Sequence, residues 1–220
     1  MDIDIYSPYK KVQDFWAGSE IENVPNKLRD YLMLFPTATC PNPIITNDNP
    51  RARLVKYLYY DDAKPLEHDL PTVEERKSII FNPFEPTNPP TAKGYRMFTQ
   101  MLINPTDYDG STTLRIVMGR TIPRGSRNIM FSVIFYMMTN YALESNTRTT
   151  AVARTFAMEM AIVEALNGVN IDGVGTFMWD RNTHIDDESE MIYDERIGVG
   201  RVLTMSFESI GGGGYYDLYQ

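Results

Sequence analysis

Residues Ile129 to Met138, IMFSVIFYMM, form an almost unbroken apolar run in the second half of the chain. Successive side chains of a β-strand point to opposite faces, so apolar residues at both odd and even positions predict a strand that is covered on both sides. Such a strand lies in the interior of its sheet. We expect one cover to be the helix that follows in sequence, and the other to be the N-terminal half or another subunit.

A shorter strand pattern precedes this run. Leu114 to Met118 (LRIVM) is the expected antiparallel partner of the central strand. Between the two strands, Gly119 to Asn128 (GRTIPRGSRN) contains two glycines, one proline and three arginines, and it predicts a loop.

The central strand is followed by one long helix pattern. Residues Ala151 to Asn167 (AVARTFAMEMAIVEALN) have amphipathic spacing, with Thr149 or Thr150 as the expected cap and Gly168 as the exit. The larger apolar residues at intervals of three and four are predicted to form one face, namely Val152, Phe156, Met160, Val163 and Leu166. Small residues should allow a close approach to the sheet, and these are Ala153, Ala157, Ala161 and Ala165.

Two more strand patterns, Thr176 to Asp180 and Val199 to Phe207, close the unit and are joined by a strongly acidic connection. The order strand, helix, strand, strand predicts an α+β fold, in which an antiparallel or mixed β-sheet is packed by one main α-helix. An irregular, proline-rich and partly helical extension is expected before it.

The N-terminal half differs because prolines recur through it and shorten regular elements. Short helices are predicted at Pro25 to Phe35, at Arg51 to Tyr60 and from Pro71 to Lys77, although the second of these patterns also fits a strand. Tyr95 to Ile103 predicts a strand. The chain thus divides into a helical and proline-rich region (1–110), an α+β core (111–210) and a glycine- and tyrosine-rich tail (211–220).

Two segments have the composition of contact arms. Ile79 to Thr91 (IIFNPFEPTNPPT) is too rich in proline for a regular element, and Phe81 and Phe84 are its expected anchors. It lies either on its own domain or on a neighbouring subunit. The tail, GGGGYYDLYQ, combines four glycines with adhesive tyrosines, and Tyr215 and Tyr216 are candidate interface residues.

Composition excludes several classes of partner. A net charge of −8 argues against a nucleic-acid-binding surface and against anionic membranes. The single cysteine, Cys40, excludes an intrachain disulfide and fits folding in a reducing compartment. No run is long and apolar enough to span a bilayer, and the start, MDIDIYSPYKK, does not resemble a signal peptide.

Candidate catalytic and metal sites are weak. His184 with its neighbouring acids, and Glu67 to Asp69, offer metal-ligand types, but no EF-hand or HExxH pattern occurs and a solvated acidic loop is favoured. Gly173 to Gly175 and Gly198 to Gly200 do not continue into a phosphate-binding motif. We therefore predict no enzyme activity, no cofactor and no metal.

The clearest remaining signal is an asymmetry of charge. Arginines surround the predicted hairpin loop, with Arg120, Arg124 and Arg127 as the best interface candidates. Acids fill the connection before the last strand, with Asp186, Asp187 and Glu188 as their counterparts. Opposite patches on one chain suit head-to-tail packing in a ring, whereas ordinary surface charge paired within the monomer is the alternative.

The sequence from Leu114 to Ser209 resembles those of the tail-terminator and neck proteins of tailed bacteriophages. The segments that carry the resemblance are, in order, ALNG, FMWD and YDERIGVGRVLTMSFES. The resemblance implies a ring, commonly a hexamer, that caps the tail tube and joins it to the connector of the head. It implies a virion location after assembly in the host cytoplasm, and it supplies no catalytic residues. The first 110 residues are longer and richer in proline than in the usual small terminator.

Other functions remain open at this point. The chain could be a different virion component, such as a baseplate or capsid-associated protein. It could be a small cytoplasmic enzyme that uses carboxylates or a metal near His184, or a monomeric module whose aromatic tail binds a peptide. A mass measurement separates these, because a ring requires a discrete symmetric oligomer.

Overall fold

The described part of the chain is an α+β fold in which helices pack on a mixed, curled β-sheet, and this confirms the predicted fold class. The computed structural model describes residues 23–43, 46, 48–84, 91–100, 112–124, 128–145, 152–171, 174–179, 188–194 and 198–209. The sequence-based division at residues 110 and 210 stays a prediction.

The sheet has seven strands among these residues, in the order β1-β2-β3-β7-β5-β4, and β6 also pairs with β7. Only β1 and β2 pair in parallel, and the other pairs are antiparallel. The strands are β1 (Met97–Phe98), β2 (Thr113–Arg124), β3 (Asn128–Thr139), β4 (Asn170–Ile171), β5 (Gly175–Met178), β6 (Glu188–Asp194) and β7 (Gly198–Ser209).

The apolar run that decides the fold forms β3, which lies in the interior of the sheet and pairs with β2, as predicted, and its other neighbour is β7. On its inner face, Phe131, Val133, Phe135 and Met137 are at most 1% exposed. The strand predicted from Tyr95 to Ile103 is shorter, since residues 95, 96, 99 and 100 lie outside it and 101–103 lie outside the described residues.

The four predicted helices are present, with small differences at their ends: α1 (Val24–Leu32), α2 (Pro50–Tyr59), α3 (Val73–Ser78) and α5 (Arg154–Leu166). A short helix that was not predicted, α4 (Tyr141–Ser145), and a 3-10 turn at Pro65–Glu67 are also present. Asn49 resolves the helix-or-strand ambiguity of α2, because its side chain accepts from the Arg51 N–H at 2.9 Å and Pro50 follows it.

One hydrophobic cluster joins the N-terminal helices to the sheet. Leu28 of α1 and Leu58 of α2 belong to the same buried group as Phe135 of β3, Ile162 of α5 and Leu203 of β7. The described helices before residue 80 therefore share their core with the sheet.

Buried arginines close the C-terminal ends of α1 and α2. The last carbonyls of a helix lack partners within it, and a cation there also interacts favourably with the helix dipole. At the end of α1, Leu34 adopts a left-handed backbone conformation with φ 59°, and Arg76 donates to the carbonyls of Met33 and Leu34. Arg76 is 2% exposed, and burial lowers the pKa of its guanidinium.

At the end of α2, two arginines from other elements complete the hydrogen bonding. Arg96 donates to the carbonyls of Leu58 and Tyr59 at 2.8 and 3.2 Å and pairs with Asp61. Arg154 donates to the carbonyl of Tyr57 at 3.0 Å. Because Arg96 directly precedes β1 and Arg154 begins α5, these contacts connect the C-terminal end of α2 to β1 and to α5.

The predicted face of α5 is partly wrong. Phe156 is 39% exposed and Met160 is half-buried, whereas Arg154, Thr155 and Glu159 are buried. The charged side chains are accommodated because each has polar partners in the core. The predicted close packing is confirmed for Ala161 and Ala165, which are buried, but it is wrong for the exposed Ala153, which precedes the helix, and Ala157 is only half-buried. The helix begins at Arg154 rather than Ala151, and the Glu144 carboxylate accepts from the Thr155 N–H at 2.9 Å. Thr149 and Thr150 lie outside the described residues, and Gly168 provides the predicted exit with φ +75°.

The short helix α3 depends on a capping box between Thr72 and Glu75. The Thr72 N–H donates to the Glu75 carboxylate at 2.8 Å, and the Glu75 N–H donates to the Thr72 hydroxyl. The Tyr59 hydroxyl also donates to Glu75 at 3.0 Å. The backbone hydrogen bond from Thr72, followed by the side-chain bonds of Tyr59 and Thr72, lowers the pKa of the Glu75 carboxyl.

We expect Glu75→Gln to lower the free energy of unfolding at pH 7 by about 0.3–1 kcal/mol, because it removes a negative charge near the helix N-terminus and leaves one oxygen where two now accept from Thr72 and Tyr59. A lowered folded-state pKa stabilises the fold above the unfolded-state pKa and loses this effect as the pH falls through the folded-state value. The difference from the wild type should therefore shrink in acid. Urea denaturation at pH 7 and at lower pH measures it, with Glu74→Gln in the same helical turn as the control. An equal loss for both variants at both pH values would contradict the capping role.

Candidate functional site: the two edges of the sheet

The basic edge of the sheet is formed by β2 beyond its short pairing with β1. The prediction of a loop from Gly119 to Asn128 is wrong for residues 119–124 and 128, because β2 continues to Arg124 and β3 begins at Asn128, and residues 125–127 lie outside the described residues. A bulge between Met118 and Thr121 makes this possible, and the Ser132 hydroxyl there accepts from the Arg120 N–H at 2.7 Å. Pro123 fits because this part of β2 has no partner strand among the described residues on its other side.

The predicted basic residues are therefore strand residues. Arg120 lies in the bulge and its side chain is exposed. Arg124 lies at the end of β2, and Arg127 lies outside the described residues. Arg115 is half-buried with its guanidinium 5.9 Å from the centre of the Phe98 ring, and burial lowers its pKa.

The acidic edge of the sheet is formed by β6. The acidic connection before the last strand was expected to be a loop, and this is wrong for Glu188–Asp194, which pair along β7. The apolar stretch Met191 to Tyr193 (MIY) was the available signal, but the acidic residues on both sides of it dominated the composition. Glu188 and Glu190 are exposed, and Asp186 and Asp187 lie outside the described residues.

The basic edge at β2 and the acidic edge at β6 are opposite edges of the same sheet, with β3 and β7 between them. Arg115 of β2, Tyr136 of β3, Val202 of β7 and Glu190 of β6 are successive register partners across four strands. Directly opposed residues share a face, and three strand spacings place the ends of this row roughly 14 Å apart. The basic and acidic residues thus flank the sheet on either side.

The base of the proline-rich arm lies beside β1. The Phe81 N–H donates to the Met97 carbonyl at 2.8 Å, and the Phe81 ring lies 5.3 Å from that of Tyr95 and 5.5 Å from that of Phe98. Phe84, in contrast, is 92% exposed. The two predicted anchors therefore differ, since one packs on its own domain and the other does not. A shallow depression of about 520 Å³ lies at the base of the arm, between Phe35, Val73, Lys77 and Phe81.

An apolar patch adjoins the acidic edge, and sequence analysis did not predict it. Its members come from β6, α5 and α4, and each is exposed by more than a third: Met191 (69%), Tyr193 (70%), Phe156 (39%) and Tyr141 (44%). The rings of Tyr141 and Tyr193 are 5.7 Å apart, and the Arg201 guanidinium lies 5.2 Å from the centre of the Phe156 ring. Met191 pairs in register with Arg201, which places this patch on the side of the sheet that α5 covers.

The described residues offer little for catalysis. They contain no group of three or more histidine, cysteine, aspartate or glutamate side chains that could hold a metal ion. The His68 ring stacks on the Tyr60 ring with their centres 4.2 Å apart, and its Nε2 lies 2.6 Å from the Asp62 carboxylate. Cys40 accepts from Arg51 at 3.6 Å. His184, Tyr215 and Tyr216 lie outside the described residues.

The second Gly-Val-Gly segment has a packing role. Gly198 has φ +137°, and a Cβ there would lie 2.1 Å from the Thr139 carbonyl oxygen. A Cβ at Gly200 would lie 2.5 Å from the Met137 carbonyl oxygen. These glycines let β7 approach β3 closely, which accounts for the pattern without a phosphate.

None of the helices in the described ranges is long and apolar enough to cross a membrane. Comparison of the sequence with protein-family models and with curated proteins finds no match.

Proposed function

We propose that the chain is a structural subunit that forms a ring in a tailed-phage virion, at the neck or at the end of the tail. In this role it joins the connector of the head to the tail tube, and it works through contacts between copies rather than through catalysis. The proposal combines the resemblance of residues 114–209 with the charges on the two edges of the sheet.

The main support is the placement of unlike charges at opposite edges of one sheet. Arg120 is exposed on β2, and Glu188 and Glu190 are exposed on β6. If two identical copies met through the same edge, like charges would face each other at a cost of several kcal/mol. If the basic edge of one copy meets the acidic edge of the next, unlike charges face each other.

A head-to-tail contact of this kind uses two different surfaces of each subunit. Its repetition generates a closed ring when the rotation between copies divides a full turn, and a filament otherwise. The contact also covers the edges of β2 and β6 that have no partner strand in the described part of the chain, and an open strand edge favours uncontrolled pairing. A stable contact of this type buries about 1,200–2,000 Å² in total, and the apolar patch beside β6 can contribute to that area.

The mass of the purified chain tests the proposal. We expect a discrete oligomer by light scattering and rings by negative-stain electron microscopy. Glu190→Arg or Arg120→Glu alone should weaken assembly by about tenfold or more, because like charges then meet across the contact. When the two variants are mixed, they should assemble with each other better than either assembles alone, because unlike charges again meet at both contacts of an alternating ring. Lys64→Glu, at an exposed residue away from both edges, is the control.

Salt supplies a second readout. Exposed charges more than a Debye length apart are screened, and this length shrinks from about 10 Å at 0.1 M to about 3 Å at 1 M. The charge-reversal effects should therefore diminish in high salt. The proposal would be contradicted by a chain that is monomeric at every protein and salt concentration, with no ring in negative-stain micrographs and no antibody label for this chain at the head–tail junction of phage particles.

A further inference from the structure

Phe84 is presented to solvent in a fixed local conformation. The Asn82 side chain accepts from the Phe84 N–H at 3.0 Å, and the Phe81 backbone and ring are held at β1. Asn82 and Phe84 thus form a side-chain turn of the kind that orders loops. A phenylalanine that is 92% exposed leaves its whole apolar surface in water, and such a residue is a good candidate for an interface anchor.

The apolar patch has the composition of a receptor for such an anchor. Aromatic residues and methionine are enriched in the cores of interfaces, and the flexible thioether of methionine adapts to an incoming ring. Met191 and Tyr193 belong to a strand that pairs on one side only among the described residues, so an approaching segment can reach them from the open edge.

A subunit cannot fill its own patch with Phe84. The base of the arm is held at β1, and the patch begins at β6, with β2, β3 and β7 between them. Four strand spacings of about 4.8 Å amount to roughly 19 Å along the curled sheet. The three residues from Phe81 to Phe84 span at most about 11 Å when extended. Phe84 is 92% exposed and leaves the patch of its own subunit open, so the patch is accessible to another molecule.

Charge favours a second copy as that molecule. The exposed Lys77 lies beside the base of the arm with Phe81, and Arg120 lies on the neighbouring strand β2. Glu188 and Glu190, on the same strand as Met191 and Tyr193, are exposed on the opposite face of β6, so the edge that carries the patch is also acidic. The same head-to-tail contact that brings the basic edge to the acidic edge brings the Phe84 side of one copy towards the patch of the next.

We infer that Phe84 of one copy inserts into the patch formed by Tyr141, Phe156, Met191 and Tyr193 of the next copy. The inference rests on the proposed head-to-tail ring and names the apolar contact that holds it. Charge at the strand edges then sets the orientation, and the Phe84 contact supplies much of the affinity.

Two measurements on the full chain test this contact. Phe84→Ala and Met191→Ala should each weaken assembly by at least tenfold, while leaving the urea midpoint of the subunit unchanged because both side chains are exposed. Val73→Ala, at another exposed apolar residue, should leave assembly unchanged. In a Cys40→Ser background, Phe84→Cys and Tyr193→Cys proteins are mixed and treated with a short thiol cross-linker. A cross-link between one molecule of each is expected, and Glu67→Cys is the control partner for Phe84→Cys.

The outcomes separate this inference from the proposed function. If rings form and respond to the charge reversals, but Phe84→Ala assembles normally or no cross-link joins residues 84 and 193, the Phe84 contact is wrong and the ring stands. If the wild-type chain stays monomeric under every condition, the ring is wrong and the Phe84 contact with it. Rings that lose affinity with Phe84→Ala and yield the cross-link support both.

Discussion

Arg154→Met is expected to lower the free energy of unfolding by about 3–5 kcal/mol, because it removes the donor of a buried hydrogen-bond network and leaves several carbonyls without a partner. The Arg154 side chain is fully buried. Its guanidinium donates to the carbonyls of Tyr57, Tyr60 and Asp62, and it lies 3.4 Å from the Thr112 hydroxyl. Among the described residues of α5, no other side chain donates to the carbonyls of Tyr60 and Asp62.

The size of this effect follows from what remains after the substitution. Methionine fills much of the same volume but donates no hydrogen bond, so several backbone carbonyls lose their partner at about 1–3 kcal/mol for each one that stays buried. Part of this loss is recovered, because burying a guanidinium is itself unfavourable. Desolvation lowers the pKa of Arg154, with Asp61 and Asp62 opposing it, and its Nε has no hydrogen-bond partner among the described residues.

A matched control uses the same helix pair. Arg53 of α2 pairs with Glu164 of α5, but their side chains are 32% and 46% exposed. A surface pair of this type contributes about 0–1 kcal/mol, so Arg53→Met should cost far less than Arg154→Met. Urea denaturation followed by circular dichroism compares the two. Similar losses would show that the buried carbonyls of α2 do not depend on Arg154.

The buried arginines also explain why the sequence predicted some parts of α5 and not others. The position of the helix and its glycine exit follow from local spacing, and both were predicted. Which face is buried depends on partners that are distant in sequence, because Arg154 bonds to residues 92 or more positions earlier. Charged residues are rarely buried unless they are paired, so a pattern of apolar residues alone assigns them to solvent.

The edges of the sheet show the same limit. The apolar run of β3 predicts a central strand because its burial is visible in its own residues. β6 was taken as a loop because its acids dominate its composition, and β2 was ended too early because glycine, proline and arginine normally indicate a turn. The Ser132 hydroxyl, which supports the bulge at Arg120, comes from the facing strand. The apolar patch could not be predicted for a similar reason, since three separate elements form it.

The second large effect is expected at the ion pair between Glu159 of α5 and Arg201 of β7. The Glu159 side chain is 3% exposed and that of Arg201 is 20% exposed. Arg201 also donates to the Ser189 hydroxyl of β6 at 3.0 Å. Arg201→Met should lower the free energy of unfolding by about 3–5 kcal/mol, because it leaves a buried carboxylate without its cation.

The double variant Glu159→Leu with Arg201→Met separates the ion pair from simple packing. Replacing both charges with apolar groups of similar size is often neutral or stabilising by about 1–4 kcal/mol. We therefore expect the double variant to be more stable than Arg201→Met alone, with a coupling energy of about 2–3 kcal/mol in the double-mutant cycle. Additive losses would show that the two side chains contribute independently, and would contradict a buried pair.

This cycle also has a consequence for assembly. Arg201 lies under the Phe156 ring and bonds to Ser189, so the pair connects the helix to the strand that displays Met191 and Tyr193. Replacing both charges should restore the stability of the subunit but not the position of Phe156 and β6. If the patch receives Phe84 of the next copy, the double variant should therefore fold well and still assemble at least several-fold more weakly than the wild type. Normal assembly in that variant would show that the contact does not require the position that Arg201 gives to the Phe156 ring.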